Sequence, residues 1–171
     1  MIAVVAVDEC WGIGYKGELL YEIPEDRKFF KERSEHKVVV MGRATLESLP
    51  GSKPLRNRTN IVLTKKRELE QDSVIVCSSV EQLLEAVSTY DPDDVVVMGG
   101  QEIYTQLLDY CTTAYVTRIK GRKTADRFFP RIDLLDNWKV EDISDEKNHE
   151  GIKFAFYKYV NTDLSKTDKR R

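Results

Sequence analysis

Two stretches of this chain read almost alike, VVVMGR at 38–43 and VVVMGG at 95–100, and a third, IAVVAV at 2–7, shares their character. None of the three alternates apolar with polar residues. An unbroken aliphatic run of this length is a strand covered on both faces, because a strand with one face in water alternates. Strands covered on both faces need helices above and below them. That requirement points the chain towards a layered α/β sheet.

Helix signals fall between the runs. Pro24 stands at the favoured first-turn position, followed by the acids Glu25 and Asp26, and predicts a helix over 24–35. A short helix is expected over 43–48. Ser79 and Gln82 have the spacing of a capping box and open a helix over 79–87. A further helix is expected over 101–109. Strands are expected at 2–7, 37–41, 59–64, 74–77, 94–98, 114–119, 138–143 and 152–160. The last of these, IKFAFYKYV, alternates as a half-exposed antiparallel strand should. The predicted fold class is therefore α/β: a mostly parallel, mixed, eight-stranded sheet with helices on both faces and an antiparallel C-terminal edge. One domain over 1–160 is expected, with a polar, basic, frayed tail over 161–171. The segment DECWGIGYKGELLYEIP is too irregular for helix or strand and too long for a tight turn, so it reads as a functional loop.

Composition narrows the function classes. The 27 basic and 29 acidic residues of the 171 leave a net charge of -2, with no basic excess to suggest nucleic acid or a membrane surface as partner. Three cysteines (Cys10, Cys77, Cys111) without CxxC spacing make neither a disulfide framework nor a zinc site. With only His36 and His149 besides, no metal is expected. No apolar run is long enough to span a bilayer, and the N-terminus lacks the basic start of a signal peptide. The expected setting is reducing and cytoplasmic, and the expected state a monomer.

Three places could carry chemistry. Asp26 lies in the first turn of its helix, with Phe30 one turn on along the same face. Position alone favours a solvated helix-start acid like Glu25. The alternative is a buried acid that binds a cationic or hydrogen-bond-donating ligand. The two strand ends that stop at Gly42 and Gly99-Gly100 lie where open sheets bind ligands. Glycines there allow either a tight turn or close approach of a phosphate, and Arg43 is either a surface arginine or a phosphate fork. Gly99-Gly100 is not the GxGxxG dinucleotide fingerprint. Arg58, leading into a strand, is either solvated or a clamp for a carboxylate.

Taken together and in order, these features resemble dihydrofolate reductase. The resemblance runs from about Ile2 to Tyr159 through AVD..WGIGYKGELLYEIPEDRKFFK (6–31), VVVMGRATLESLP (38–50), PLRNRTNIVLT (54–64), VVVMGGQEIY (95–104) and TADRFFP (124–130). It implies NADPH as cofactor, a folate substrate and antifolate inhibitors as small-molecule ligands. Asp26 would be the acid on the pterin, with Thr117 tied to it and Tyr21 nearby. Val4, Val5, Phe30, Leu49, Leu55 and Met98 would line the substrate pocket, and Arg58 would hold the glutamate carboxylate. Arg43, Thr64 and Lys65 would bind the 2′-phosphate and so select NADPH over NADH. Thr45, Gly99, Gly100, Gln101 and Tyr104 would cradle the pyrophosphate and nicotinamide side, with Gly42, Ala44, Leu63, Glu102 and Ile103 beside them. Ala6, Ile13 and Gly14 would border the nicotinamide, and residues 12–22 would form a lid that Asp126 holds closed.

The sequence departs from the family's usual pattern around the lid. Tyr21 stands where tryptophan is usual, Leu20 where proline is usual, and Arg27 where an apolar residue usually touches substrate. Arg27 is expected either to meet an anionic tail or to turn to solvent, and its charge to favour ionised Asp26. A riboflavin-pathway reductase of the same fold is the nearest rival, set aside by Asp26 and Arg58 together. A non-catalytic nucleotide-binding module would lack catalytic groups that this chain retains.

Overall fold

The computed structural model describes residues 1–66 and 72–167. Strand β1 (Ile2–Val7) is followed by a hairpin of β2 (Gly12–Tyr15) and β3 (Glu18–Leu19). Helix α1 (Pro24–Ser34) leads to β4 (Val38–Gly42), α2 (Arg43–Ser48), β5 (Thr59–Leu63) and β6 (Val74–Cys77). Next come α3 (Val80–Ala86), β7 (Val95–Gly99), α4 (Gln101–Leu107) and β8 (Thr113–Ile119). The chain ends with β9 (Arg127–Phe128), β10 (Trp138–Ile143), β11 (Lys147–His149) and β12 (Ile152–Asn161).

The main sheet runs β10-β12-β8-β1-β7-β4-β5-β6, with β11 paired to β12 off this path. Every ladder from β8 across to β6 is parallel, and β12 is antiparallel to β8, β10 and β11. The eight-strand expectation thus holds along the path, and β11 is the addition. Its polar KNH sequence carries no apolar signal to reveal it.

The aliphatic runs are buried as their composition requires. Val38, Val39, Val40 and Met41 are all at most 1 % exposed. Alternate residues serve two cores. Val40, Val97, Leu83 and Leu107 pack on the α3/α4 side, and Val39, Met41, Val96 and Leu46 on the α1/α2 side. Truncating a fully buried leucine such as Leu83 costs about 2–5 kcal/mol, and α2, α3 and α4 each carry one, in Leu46, Leu83 and Leu107. The register then sets the carboxyl edge: Gly42 lies opposite Leu63, Met41 opposite Gly99, and Ala6 opposite Thr117.

Three local expectations need correction. The loop after β1 contains the β2–β3 hairpin, which joins β9 in a second sheet, β3-β2-β9. Its partner strand lies more than a hundred residues away, so no local pattern announces it. The Gln82 amide N–H donates to Ser79 Oγ as a cap should, but the Gln82 side chain accepts from the Ser78 N–H and hydroxyl instead of returning to Ser79. The expected frayed tail is docked over residues 161–167. Asn161 is buried, donates to the Cys111 carbonyl at 3.0 Å and accepts from Asn137 at 2.8 Å, and Lys166 pairs with Asp109. Its polar groups find partners in neighbouring loops. Residues 168–171 of that segment lie outside the described residues. Among the described residues no helix is long and apolar enough to cross a membrane.

Candidate active site

Helix α1 is seated by Phe29, which stacks on Phe156 at 4.2 Å between centroids and meets Tyr115 edge-on at 6.0 Å. That anchoring turns Asp26, one turn earlier, towards β8. There the hydroxyl of Thr117, a residue 1 % exposed, donates to Asp26 Oδ1 at 2.6 Å. Burial pushes the Asp26 carboxyl above its usual range, and the Thr117 hydrogen bond opposes that shift. Glu25 behaves as the solvated acid, exposed and 3.4 Å from Lys147. Arg27 takes the solvent-facing one of its two expected courses, and only the expected effect of its charge on Asp26 fails. It turns to Glu22 at 4.0 Å, with both side chains largely exposed, and does not figure among the causes that act on Asp26. Successive helix residues point ~100° apart, so a neighbour in sequence faces elsewhere.

The apolar wall forms beside this acid. Val4 belongs to one buried cluster against which Phe30, Leu49, Leu55 and Met98 pack. Val5 does not join it, and its side chain lies in the α3/α4 core. Strand alternation forbids both valines from presenting side chains to one face. At the far end, Arg58 Nη2 donates to Ser34 Oγ at 3.0 Å and Nη1 to the Arg56 carbonyl at 2.8 Å. Asn60, 3 % exposed, accepts from the Leu55 N–H and donates to the Leu55 and Arg58 carbonyls. Ser34 and Asn60 were not singled out by the sequence reading. A buried serine and a buried asparagine beside a basic loop look like ordinary polar residues until the partners are visible.

The second region is built largely from backbone. The ends of β7, β4 and β5 lie together, with Gly99 opposite Met41 and Gly42 opposite Leu63, and Arg43 and Thr64 next in chain. A Cβ on Gly42 would lie 3.0 Å from Ile103, and one on Gly99, at φ 118°, would lie 3.1 Å from the Tyr104 ring. A Cβ on Gly100 would sit 3.4 Å from the Thr45 hydroxyl. The Gly99-Gly100 peptide is cis. Arg43 Nε is 2.7 Å from Glu47 Oε1, one turn along the same helix. Ala44 and Glu102 lie in the opening turns of α2 and α4. Thr64 Oγ1 accepts from the Lys66 N–H, and Lys65 is exposed. The Gln101 side chain accepts from the Phe128 N–H at 2.7 Å. Glycines that a Cβ would crowd, two threonines and two cations fit a phosphate-bearing group.

Tyr104 joins the two regions. It is buried, donates to the Val4 carbonyl at 2.7 Å, and is held protonated by burial first and by the charge of Asp26 second. Tyr21, like Ala6 and Phe156, packs against the cluster of Ile23, Ile119 and Phe154, and burial followed by the charges of Asp8 and Glu9 raises its pKa. Ile13 packs on the α3/α4 core. Across the β2–β3 hairpin, Asp126 accepts from the Lys16 N–H at 3.1 Å and donates its own N–H to the Gly14 carbonyl at 3.0 Å. Among the described residues no cluster of His, Cys, Asp or Glu could hold a metal ion.

An apolar wall headed by the largely buried Asp26, beside a glycine cradle with cations, fits an α/β enzyme. It suits an aromatic hydrogen-bonding ligand next to a phosphate-bearing one. The comparisons with known proteins agree. The family model of dihydrofolate reductase matches residues 1–161. The dihydrofolate reductase of Bacillus subtilis is 34% identical over 163 residues, covering 93% of this chain and 94% of that one. That of Staphylococcus aureus is 36% identical over 140 residues, covering 80% and 83%. The solved dihydrofolate reductase from Enterococcus faecalis, complexed with NADP(H) and RAB-propyl, superposes with a TM-score of 0.85 at 35% identity, covering 95% of this chain and 96% of that one. The chain belongs to the dihydrofolate reductase family and is an oxidoreductase of folate metabolism.

Proposed function

We propose that this chain reduces 7,8-dihydrofolate to tetrahydrofolate with NADPH. The observation that carries the reading is the buried Asp26 held by Thr117 at the head of an apolar cleft whose other end carries Arg58. NADPH, when bound, supplies the hydride that adds to C6 of the pterin. Asp26 accepts hydrogen bonds from the pterin 2-amino group and N3 and assists protonation at N5. Its raised pKa suits that task, because a carboxyl nearer to neutrality holds a proton more readily. Thr117 fixes the carboxylate's orientation, and Tyr21 closes the pocket beside it.

Val4, Phe30, Leu49, Leu55 and Met98 grip the pterin and benzoyl rings, and Val5 contributes backbone alone. Arg58, oriented by Ser34, receives the glutamate carboxylate. Arg27 lies at the exposed mouth and contacts only the tail of the substrate. Arg43, Thr64 and Lys65 take the 2′-phosphate, flanked by Ala44 and Leu63. Gly42, Thr45, Gly99, Gly100 and the first turn of α4 (Gln101, Glu102, Ile103) border the pyrophosphate, and Tyr104 stands between the two ligands. Ala6, Ile13 and Gly14 line the nicotinamide side, under a lid held by Asp126 that excludes water. The cleft also suits 2,4-diaminopyrimidine inhibitors, whose protonated ring would pair with Asp26. The enzyme acts as a monomer in the cytoplasm.

The test is to mix the protein with NADPH and dihydrofolate and follow the loss of reduced-nicotinamide absorbance, with NADH and a diaminopyrimidine in parallel. Rapid turnover that prefers NADPH and is blocked by the inhibitor is the expected result. A folded protein that binds NADPH but leaves dihydrofolate unreduced would overturn the reading in favour of another pterin or pyrimidine substrate.

A further inference from the structure

We infer that Lys123 is a positioning residue for the lid: one side chain that latches Leu20 and Tyr21 over the site, an inference that rests on the lid reading proposed above. The Lys123 ammonium donates to the Leu20 carbonyl at 2.6 Å and stands 4.2 Å from the centroid of the Tyr21 ring. The backbone N–H of the same residue donates to Asp8 Oδ2 at 3.2 Å. Asp8 is 1 % exposed, and its other oxygen accepts from the N–H groups of Cys10 and Gly12, both at 2.9 Å. Both ends of the lid segment therefore meet at one position. Asp8 ties its beginning to the backbone of Lys123, and the Lys123 side chain ties its end.

The contacts differ in kind from those of Asp126, which act on the hairpin through Lys16 and Gly14. Lys123 acts instead where the lid re-joins the body of the enzyme. At that point Leu20 leaves the backbone free of the restriction that a proline ring would impose. A charged donor on a carbonyl, with the same charge over an aromatic face, restrains that backbone by attraction. The Gly121 backbone favours the arrangement: its φ of 145° suits glycine, and a Cβ there would lie 2.8 Å from the Tyr21 hydroxyl, which would have to give way.

The experiment compares the full-length protein with Lys123→Met, which keeps the aliphatic stem and loses the charge, and with Lys123→Arg, which keeps the charge. NADPH release is timed by stopped-flow displacement. Affinity for adenosine 2′,5′-bisphosphate, which carries phosphates but no nicotinamide to meet the lid, is measured by titration. Lys123→Met should speed NADPH release about three- to tenfold and leave the bisphosphate affinity and the thermal midpoint unchanged, and Lys123→Arg should restore slow release. Unchanged NADPH release in Lys123→Met, or equal weakening of both ligands, would overturn the latch. Failure of the unaltered protein to bind NADPH would instead bring down the cofactor reading, and the latch with it.

Discussion

The two halves of the candidate site are built differently. The substrate side is made of side chains locked before any ligand arrives: Thr117 holds Asp26, Ser34 holds Arg58, and Asn60 holds the loop between Leu55 and Arg58. The cofactor side is made of backbone, with its polar side chains engaged elsewhere. Arg43 is on Glu47, and Gln101 is on the backbone of Phe128. Burial explains the contrast. A carboxylate out of water, as Asp26 is, must be satisfied within the fold, whereas a half-exposed arginine such as Arg43, paired with an exposed Glu47, can exchange one anion for another at little cost. On the proposed reading, binding on the substrate side is preorganised, and on the cofactor side it is an exchange of partners.

The predictions that bear on this contrast begin with its most buried group. Asp26→Asn should lower turnover about 10²–10⁴-fold at neutral pH, with partial recovery in acid as solvent protonates the substrate; a pH–rate profile checks it. Near-normal turnover at neutral pH would remove Asp26 from the mechanism. Arg58→Leu should raise the KM for dihydrofolate about ten- to a hundredfold with little change in kcat, since a preorganised charge-assisted clamp is lost. Ser34→Ala should give a smaller shift in the same direction.

On the cofactor side, Arg43→Ala should weaken NADPH about tenfold and leave NADH unchanged, measured by fluorescence titration of both. Glu47→Gln should tighten NADPH by about two- to threefold, because the exposed ion pair that competes with the phosphate is worth little. A large effect of Glu47→Gln would mean that this side too is preorganised.

The smallest expected effect concerns stability. The folded-state pKa of Asp26 is raised by burial, so its contribution to stability is fully present below the unfolded carboxyl's pKa and is lost as pH rises through the folded value. Asp26→Asn should therefore raise the thermal midpoint at neutral pH, with the gain fading as pH falls into the acid range. A midpoint lowered at neutral pH would show that the Thr117 bond outweighs the burial.

Much of this was legible beforehand. The aliphatic runs announced the buried strands, and Pro24 announced the helix that carries Asp26. Glycine after each valine run marked where those strands end. Where the reading failed, the missing information was orientation or a distant partner. Arg27 sits next to Asp26 in sequence and yet faces Glu22. Val5 sits next to Val4 and yet belongs to the opposite core. Residues 161–167 read as a loose end because the groups that hold Asn161 come from Cys111 and Asn137.

The sequence by itself determined the sheet and the helices that cover it. These follow from burial, and burial is written in local periodicity. Only the tertiary structure decided that the β2–β3 hairpin pairs with β9, that Arg43 is held by Glu47, and that Lys123 bonds both Asp8 and Leu20 at the two ends of the proposed lid. Each of these turns on which side chain or strand lies within about 3–5 Å of another. For the lid, that proximity joins residues more than a hundred positions apart. For Arg43 and Glu47, four residues apart on one helix, it depends on which of several open rotamers the half-exposed arginine and the exposed glutamate take.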